Sequence, residues 1–172
     1  MNDLERLTAC EEIRQLASRY AVALDARDID ALVALYVDDV RVGRGRSGRE
    51  ALHEDFERQL RRVGITFLLV GNHVIDFGEP DRARGVVYCK GEIQDGERWI
   101  HQAIRYDDTY ERREGHWYFV RRKHLLFYGT ELGQSPLGLS PANWPEHHTG
   151  KGTLPESLSS WQRFWKRAAG SS

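Results

Sequence analysis

The 172-residue sequence is poor in the features that mark several classes of protein. It has only two cysteines and a formal net charge of -1. Two cysteines exclude a disulfide-rich scaffold, and the near-neutral charge gives no overall basic field for binding nucleic acid. No apolar run approaches the roughly 20 residues that span a bilayer. The N-terminus is charged and lacks the apolar region of a signal peptide, so we expect a cytoplasmic protein without nucleic-acid or membrane partners.

Metal-binding and redox motifs are also missing. Cys10 and Cys89 are far apart and form no CxxC or Cys-His spacing, so we expect two buried, reduced thiols. His147 and His148 are adjacent but have no third ligand at a recognisable spacing, so the sequence predicts no metal site. With 40% hydrophobic residues, the chain is long and apolar enough for one domain with a substantial core.

Residues 12–40 predict two consecutive amphipathic helices around which the rest of the chain is organised. The first carries apolar residues three and four positions apart, at Ile13, Leu16, Ala17, Tyr20 and Leu24. Polar residues at 25–28 predict its end, and Asp28 or Asp30 can cap a second helix over residues 29–36. Residues 40–42 then resemble a short strand. Tyr20 and Asp25 therefore lie near the C-terminal end of a buried helix.

A third helix is predicted over residues 47–63, with Ser47 as its cap and Glu50 completing a capping box. The preceding Gly- and Arg-rich residues 43–49 predict a loop. A phosphate-binding function for this loop is an alternative, although it matches neither of the common glycine-rich phosphate motifs.

From residue 64 onward the pattern changes to strands. Residues 65–77, 83–94, 98–113 and 115–128 are rich in β-branched and aromatic residues and are separated by turn sequences. Three helices followed by four turn-linked strands predict an α+β domain, with the helices on one face of a bent antiparallel sheet. Because the strands carry large residues on both faces, we expect a homo-oligomer formed through the outer face.

The C-terminal part differs from both. Residues 129–152 contain too much glycine and proline for a regular element, and Trp161, Phe164 and Trp165 follow at helical spacing. We therefore divide the chain into a domain over residues 1–128 and a C-terminal arm over residues 129–172. Residues 154–165 of the arm should pack on the domain or on a partner subunit as a lid or clamp, because exposed aromatic residues favour aggregation.

Four motifs in order resemble a known family. They are I-R-x-L-x-x-R-Y-x-x-A-L-D at 13–25, L-Y-x-D-D-V at 35–40, R-Y-D-D-x-Y-x-R at 105–112 and G-x-W at 115–117. Together they resemble the SnoaL-like branch of the nuclear transport factor 2-like superfamily, which includes scytalone dehydratase, a lindane dehydrochlorinase and polyketide cyclases. The resemblance implies a cone-shaped sheet wrapped around the N-terminal helices, with an internal apolar pocket. It also implies chemistry without a metal or an organic cofactor.

The resemblance further implies an Asp–His dyad, and here the sequence departs from the family. Asp25 matches the Asp, and Asn72 matches an Asn that follows the His by four residues. The His position itself is occupied by Leu68. His73 could replace it, provided that a β-bulge near Gly71 turns its side chain to the inner face.

The last strand supplies the remaining candidates. The family places an Arg in the pocket at the position of Arg122, and the two-residue period then turns His124, Leu126 and Tyr128 inward as well. The predicted catalytic residues are Asp25, Arg122, His73, His124 and Tyr20. The predicted substrate-binding residues are Tyr36, Leu68, Asn72, Gln102, Ile104, Tyr106, Leu126 and Tyr128.

These residues predict a cofactor-independent lyase or isomerase that acts on a small hydrophobic, aromatic or polycyclic molecule. Asp25, with or without a histidine, takes a proton, while Arg122 and a tyrosine stabilise the negative charge that develops. Two alternatives stay open. One is carbon–carbon cleavage by the same groups, through a retro-aldol or deformylation reaction. The other, which Leu68 favours, is a protein that binds a hydrophobic ligand without catalysis.

Overall fold

The structure is a computed structural model of the whole chain. It describes residues 1–133, 135–143, 150–151, 155–157 and 159–169. His147 and His148, for which the sequence predicts no metal site, lie outside the described residues.

Helix α1, Asp3–Ala26, begins and ends at well-defined caps. The Asn2 side chain accepts a hydrogen bond from the backbone N–H of Glu5, and the Glu5 side chain accepts one from the N–H of Asn2. At the other end Arg27 takes a left-handed conformation with φ 56°, and its N–H bonds back to the last turn. The helix therefore ends where the polar residues after Leu24 predicted.

The segment after α1 contains two further helices and a small hairpin. Helix α2, Ile29–Ala34, is capped by Asp28, and β1, Arg41–Val42, pairs with β2, Arg46–Ser47. Helix α3 spans Arg49–Leu60 and has Gly48 as its N-cap. The prediction that Ser47 caps this helix was wrong, because Ser47 is paired with Arg41 in the hairpin. Gly48 has φ 95°, a conformation that favours glycine.

Four long strands form the main sheet, in the order β3-β4-β5-β6 and all antiparallel. Their bounds are β3, Thr66–Phe77; β4, Arg82–Asp95; β5, Arg98–Arg113; and β6, His116–Glu131. Each lies within three residues of its predicted position, and β6 extends furthest beyond it. The main core lies between the inner face of this sheet and the helices, which confirms the predicted α+β fold.

The ladder is interrupted at three places. One register shift lies in β3 between Val70 and His73, and two lie between β5 and β6, after Ala103 and after Thr109. Each places an extra residue in one strand, which bends the sheet and reverses the direction of the side chains that follow.

The C-terminal helix α4, Ser159–Ala169, contacts the domain at the end of α1. The hydroxyl of Ser160 donates to the carbonyl of Ala26 at 2.8 Å, and Arg61 donates to the carbonyl of Phe164 at 2.9 Å. The Phe164 side chain is buried, and the guanidinium of Arg61 lies 4.4 Å from its ring centroid. Leu154, at the start of the predicted docking segment, lies outside the described residues.

The outer face of the sheet remains apolar and exposed. Phe127 and Tyr128 from β6 are about half exposed, as are Val74 from β3 and Tyr88 from β4, and Leu69 from β3 is 71% exposed. The rings of Tyr88 and Phe127 pack edge to face at 5.3 Å. Within the described ranges, no helix has the length and apolar content required to cross a membrane.

Candidate active site

A cavity of about 530 Å³ lies between the inner face of the sheet and the helices. Its wall is largely apolar and aromatic, and includes Tyr20, Leu24, Tyr36, Leu52, Phe56, Leu68, Ile104 and Tyr106. Polar side chains interrupt this wall at Thr66, Gln102, Arg122 and His124, among others. Five predicted substrate contacts, Tyr36, Leu68, Gln102, Ile104 and Tyr106, therefore lie in the cavity wall.

Arg122 is the buried cation of this wall. Its side chain is only 3% exposed, and that of its partner Asp108 is fully buried. The guanidinium donates from Nε to one carboxylate oxygen of Asp108 at 3.0 Å and from Nη2 to the other at 2.9 Å. Such a two-point bond fixes both the position and the plane of the guanidinium.

Aromatic rings enclose the same guanidinium. Its central carbon lies 4.3 Å from the ring centroids of Tyr20 and Tyr106 and 4.6 Å from that of Phe119. These distances are within the range of cation–π attraction. The Nη1 atom has no hydrogen-bond partner among the described residues.

The ion pair keeps Arg122 charged. Burial alone lowers the pKa of Arg122, but the carboxylate of Asp108 outweighs that effect and the pKa stays above its ordinary value. Burial also raises the pKa of Asp108, which the neighbouring Arg122 opposes. Because the geometry gives each charge two short hydrogen bonds, we describe the pair as ionised.

A hydrogen-bonded chain continues from this pair to His73. The hydroxyl of Tyr110 donates to Asp108 at 2.9 Å and lies 3.0 Å from Nε2 of His73. A β-bulge after Val70, the predicted condition for an inward-facing His73, turns this side chain inward. Burial is the main cause that lowers the pKa of His73 to about 4, so the ring is neutral at pH 7.

His124 follows Arg122 by two residues on β6 and also lines the cavity. Its ring packs against Tyr106 at 5.4 Å between centroids, on the same tyrosine that contacts Arg122. Burial lowers the pKa of His124, so its imidazole is neutral at pH 7 and can accept a proton.

Asp25 lies at a different place, at the end of α1. Its carboxylate accepts hydrogen bonds from the hydroxyl of Thr66 and from the N–H of Leu68, both at 2.8 Å. Arg27 donates to the same Thr66 hydroxyl at 2.8 Å. Burial raises the pKa of Asp25, and the two hydrogen bonds oppose that shift. Leu24, Thr66 and Leu68 line the cavity, whereas the carboxylate of Asp25 bonds to its wall.

The cavity tyrosines are neutral hydrogen-bond donors. Tyr20, Tyr36 and Tyr106 are all buried, and burial raises the pKa of each phenol. Each hydroxyl therefore keeps its proton at neutral pH and can donate to a carbonyl or a departing group.

Three predicted substrate contacts lie outside the cavity wall. Asn72 is exposed and lies with Gly71 in the β3 bulge, where these two residues stand opposite the single Tyr88 of β4. Leu126 and Tyr128 are about half exposed on the distal part of β6.

The register shift after Ala103 inserts Phe127 into β6 and turns Tyr128 to the outer face. Leu126 precedes this shift and still pairs with Ile104, so the two-residue period holds for it, but its side chain does not line the cavity.

Two residues of this site, Asp108 and Tyr110, were not among the predicted site residues. Both belong to the R-Y-D-D-x-Y-x-R motif, and strand alternation places them on the same face as Tyr106. That alternation was the available signal. The partner of Asp108, however, lies on a different strand and could not be read from the motif.

The arginine-rich loop at residues 43–49 was considered as a phosphate site, and the described side chains can also be examined for metal ligands. Arg46 forms an ion pair with Glu54, and Arg49 donates to the carbonyl of Tyr36 at 2.9 Å and pairs with Asp38 at 3.2 Å. Both arginines are thus engaged by the protein itself rather than arranged around a phosphate. Among the described residues, no group of three or more His, Cys, Asp or Glu side chains could hold a metal ion.

The comparisons identify the family. The chain belongs to the SnoaL-like domain family, whose model matches residues 5–123. It is similar to the gamma-hexachlorocyclohexane dehydrochlorinase of Sphingobium indicum, with 29% identity over 139 residues that cover 77% of this chain and 89% of that protein.

Solved structures agree with this assignment. The dehydrochlorinase of Novosphingobium barchaimii is 26% identical, with a TM-score of 0.69 over 77% of this chain and 95% of that one. A scytalone dehydratase-like protein of Novosphingobium aromaticivorans, at 22% identity and a TM-score of 0.65, covers 76% of this chain and 92% of its own and supports the fold alone.

Proposed function

We propose that this protein is a cofactor-independent lyase that removes a proton and a leaving group from a small hydrophobic molecule held in the cavity. The observation that carries the proposal is the buried, charged Arg122 in a largely apolar and aromatic wall, two residues before the neutral imidazole of His124. The similarity to dehydrochlorinases supports elimination as the reaction class.

In this proposal His124 is the general base. It accepts a proton from a carbon of the ligand, the electrons of that C–H bond form a new double bond, and the leaving group departs with its own bonding electrons. Arg122 stabilises the negative charge that develops, and Tyr20 or Tyr106 donates a hydrogen bond to the same group. The apolar wall holds the ligand in the reactive orientation.

Asp25 has a different part in this proposal from the one that the family resemblance implies. Both of its oxygens already accept hydrogen bonds from β3, and Leu68 stands where the family has its histidine. We therefore assign Asp25 to holding the end of α1 against β3, where it shapes the cavity wall.

The test begins with a thermal-shift screen of chlorinated cyclohexanes, aromatic β-hydroxy ketones and cyclic ketones, because a ligand that binds the folded state raises Tm. Each stabilising compound is then incubated in D₂O, and elimination products and deuterium incorporation are measured by mass spectrometry. We expect conversion by the wild type and a loss of about 10²–10⁴-fold in His124→Gln. Binding without any exchange or product would contradict the enzyme proposal.

The second candidate is a protein that binds a hydrophobic ligand without catalysis. The leucine at position 68 favours it, because the family's dyad has a histidine there. The two candidates differ in the D₂O experiment, since a binder shows a thermal shift but no deuterium incorporation.

We also propose that the exposed apolar face of the sheet packs against a second copy of the chain. Leu69, Val74, Tyr88, Phe127 and Tyr128 leave an apolar surface on a face that the described helices do not cover. Sedimentation velocity at micromolar concentration should show a dimer or a trimer, and Phe127→Asp should shift the protein toward the monomer. A monomeric wild type would contradict the proposal.

A further inference from the structure

The hydrogen-bonded chain of side chains from Arg122 through Asp108 and Tyr110 to His73 is not itself needed for the elimination chemistry. It runs through two strands, β5 and β6, and ends on β3, so it links three of the four strands behind the cavity. Asp108 receives three hydrogen bonds, two from Arg122 and one from Tyr110.

The protons of this chain can be assigned from its donors and acceptors. An ionised carboxylate can only accept, so the single proton of the Tyr110 hydroxyl points to Asp108. The contact of 3.0 Å between that hydroxyl and Nε2 of His73 is then a bond in which the oxygen accepts. His73 must therefore carry its proton on Nε2, and Nδ1 is the unprotonated nitrogen of the neutral ring.

Gly85 on β4 is an independent sign that this contact is built into the fold. A Cβ atom at this position would lie 2.9 Å from the Tyr110 hydroxyl and 3.1 Å from Nε2 of His73. The backbone of Gly85 does not have a positive φ, so glycine is not required there by conformation. The absence of a side chain at Gly85 instead leaves space for the hydrogen bond between His73 and Tyr110.

We propose that Asp108 and Tyr110 are positioning residues, which hold the Arg122 guanidinium at the cavity and fix His73 as the Nε2–H tautomer. Asp108 aligns Arg122 by accepting two hydrogen bonds from it. Tyr110 donates a third hydrogen bond to the same carboxylate, and its oxygen accepts from His73, which fixes the orientation of the imidazole ring. The inference rests on the proposed function only in that Arg122 acts on the ligand. The hydrogen-bond arrangement itself can be tested without a substrate.

The first experiment records the ring nitrogens of His73 by ¹H–¹⁵N NMR at pH 7 in the full-length protein. We expect the Nε2–H tautomer in the wild type. Tyr110→Phe keeps the ring but removes the oxygen, so the tautomer selectivity of His73 should be lost and the protection of the Arg122 Nε–H against hydrogen exchange should fall. Tyr118→Phe is the matched control, because it removes a phenol oxygen from β6 that does not belong to the hydrogen-bonded chain. It should leave the His73 tautomer and the exchange of the Arg122 Nε–H unchanged.

The second experiment disturbs the contact without removing either partner. Gly85→Ala places a methyl group within 3.1 Å of both the Tyr110 hydroxyl and Nε2 of His73, closer than normal contact. It should therefore push the two groups apart and produce the same loss of tautomer selectivity as Tyr110→Phe. Gly129→Ala on β6 is the control, because its Cβ would meet neighbouring atoms only at 3.7–3.8 Å. The inference is overturned if the wild type shows Nδ1–H, or if Tyr110→Phe resembles Tyr118→Phe.

These readouts separate the inference from the proposed function. If the protein binds ligands without turnover, the tautomer of His73 and the exchange of Arg122 still report on the chain. If instead the protein turns over a ligand and the His73 signals do not respond to Tyr110→Phe, the positioning role is wrong while the lyase proposal stands.

Discussion

Asp25 and Asp108 are carboxylates withdrawn from solvent at two ends of the same cavity, and they differ in what bonds to them. Asp25 accepts from a hydroxyl and a backbone N–H of β3. Asp108 accepts from a cation and a phenol and is more deeply buried. The bonds of Asp25 join α1 to β3, whereas those of Asp108 hold the guanidinium of Arg122 in place. A carboxylate at a motif position therefore has to be assigned from its partners, and the partners here favour the Arg122 end as the reactive one.

The largest effect on stability is expected when the cation is removed from the Asp108 end. Arg122→Met leaves the Asp108 carboxylate buried without its counter-charge, so the free energy of unfolding measured in urea should fall by about 3–5 kcal/mol. Arg121→Met, a change at an exposed neighbour on the same strand, should cost at most about 0.5 kcal/mol.

A double variant makes this prediction stricter. In Arg122→Met with Asp108→Leu both charges are absent, so part of the lost stability should return. If the double variant is less stable than the single one by a further several kcal/mol, the unpaired carboxylate is not the cause.

The Asp25 end also has support from outside the cavity, through helix α4. Phe164 is buried beside Arg61, and Ser160 bonds to Ala26 at the end of α1. Phe164→Ala should therefore lower the free energy of unfolding by about 3 kcal/mol. Arg163→Ala, an exposed change on the same helix, should have little effect. Equal Tm values for both variants would show that α4 does not stabilise the domain.

A change at Asp25 should have a smaller effect, with a defined pH dependence. The pKa of Asp25 is raised in the folded protein above its ordinary value of 3.8. A raised pKa means that the contribution of Asp25 to stability is complete below pH 3.8 and is lost as the pH rises through the folded-state pKa. Asp25→Asn cannot titrate, so the advantage of the wild type over this variant should shrink across that window.

At pH 7 we expect Asp25→Asn to cost about 1–2 kcal/mol, because its amide can accept only on one side. Urea unfolding at a series of pH values measures both effects. A wild-type advantage that grows with pH would mean that the pKa of Asp25 is lowered rather than raised.

The smallest effect concerns His73 at the far end of the Asp108 chain. Its pKa is lowered from 6.5 to about 4, so its contribution to stability is present above pH 6.5 and is lost as the pH falls toward 4. Allowing for partial exposure of the ring, the loss should be about 1 kcal/mol. His73→Gln should remove this dependence, and an unchanged pH profile would contradict the lowered pKa.

The fold was predictable because its signals are local. Helical spacing around Ile13 and turn sequences between β-rich runs depend on neighbouring residues, and the strands lie close to their predicted bounds. Helix α1 ends where predicted but begins at Asp3, before the predicted stretch that starts at residue 12. The cap of α3 was predicted wrongly because Ser47 pairs with Arg41 in a two-stranded hairpin. The capping pattern of Ser47 and Glu50 is local and does not reveal this pairing.

The site was predictable only in part, since it depends on register. Arg122 and His124 were placed correctly in the cavity wall because no bulge separates them. Phe127 then interrupts the alternation, so Tyr128 could not be placed by counting. Leu126 keeps the register of His124 but is about half exposed and does not line the cavity, which alternation alone does not reveal. The pairing of Arg122 with Asp108 joins two strands, and a single sequence contains no direct signal for it.

We propose that the Arg122 end of the cavity, rather than the Asp25 end, carries the reaction. The most direct measurement is the turnover of the first converted ligand by Arg122→Met and Asp25→Asn, side by side, at a temperature where both are folded. We expect a loss of about 10²–10³-fold in kcat for Arg122→Met and of less than about tenfold for Asp25→Asn. A full loss in Asp25→Asn together with near-normal kcat in Arg122→Met would contradict it.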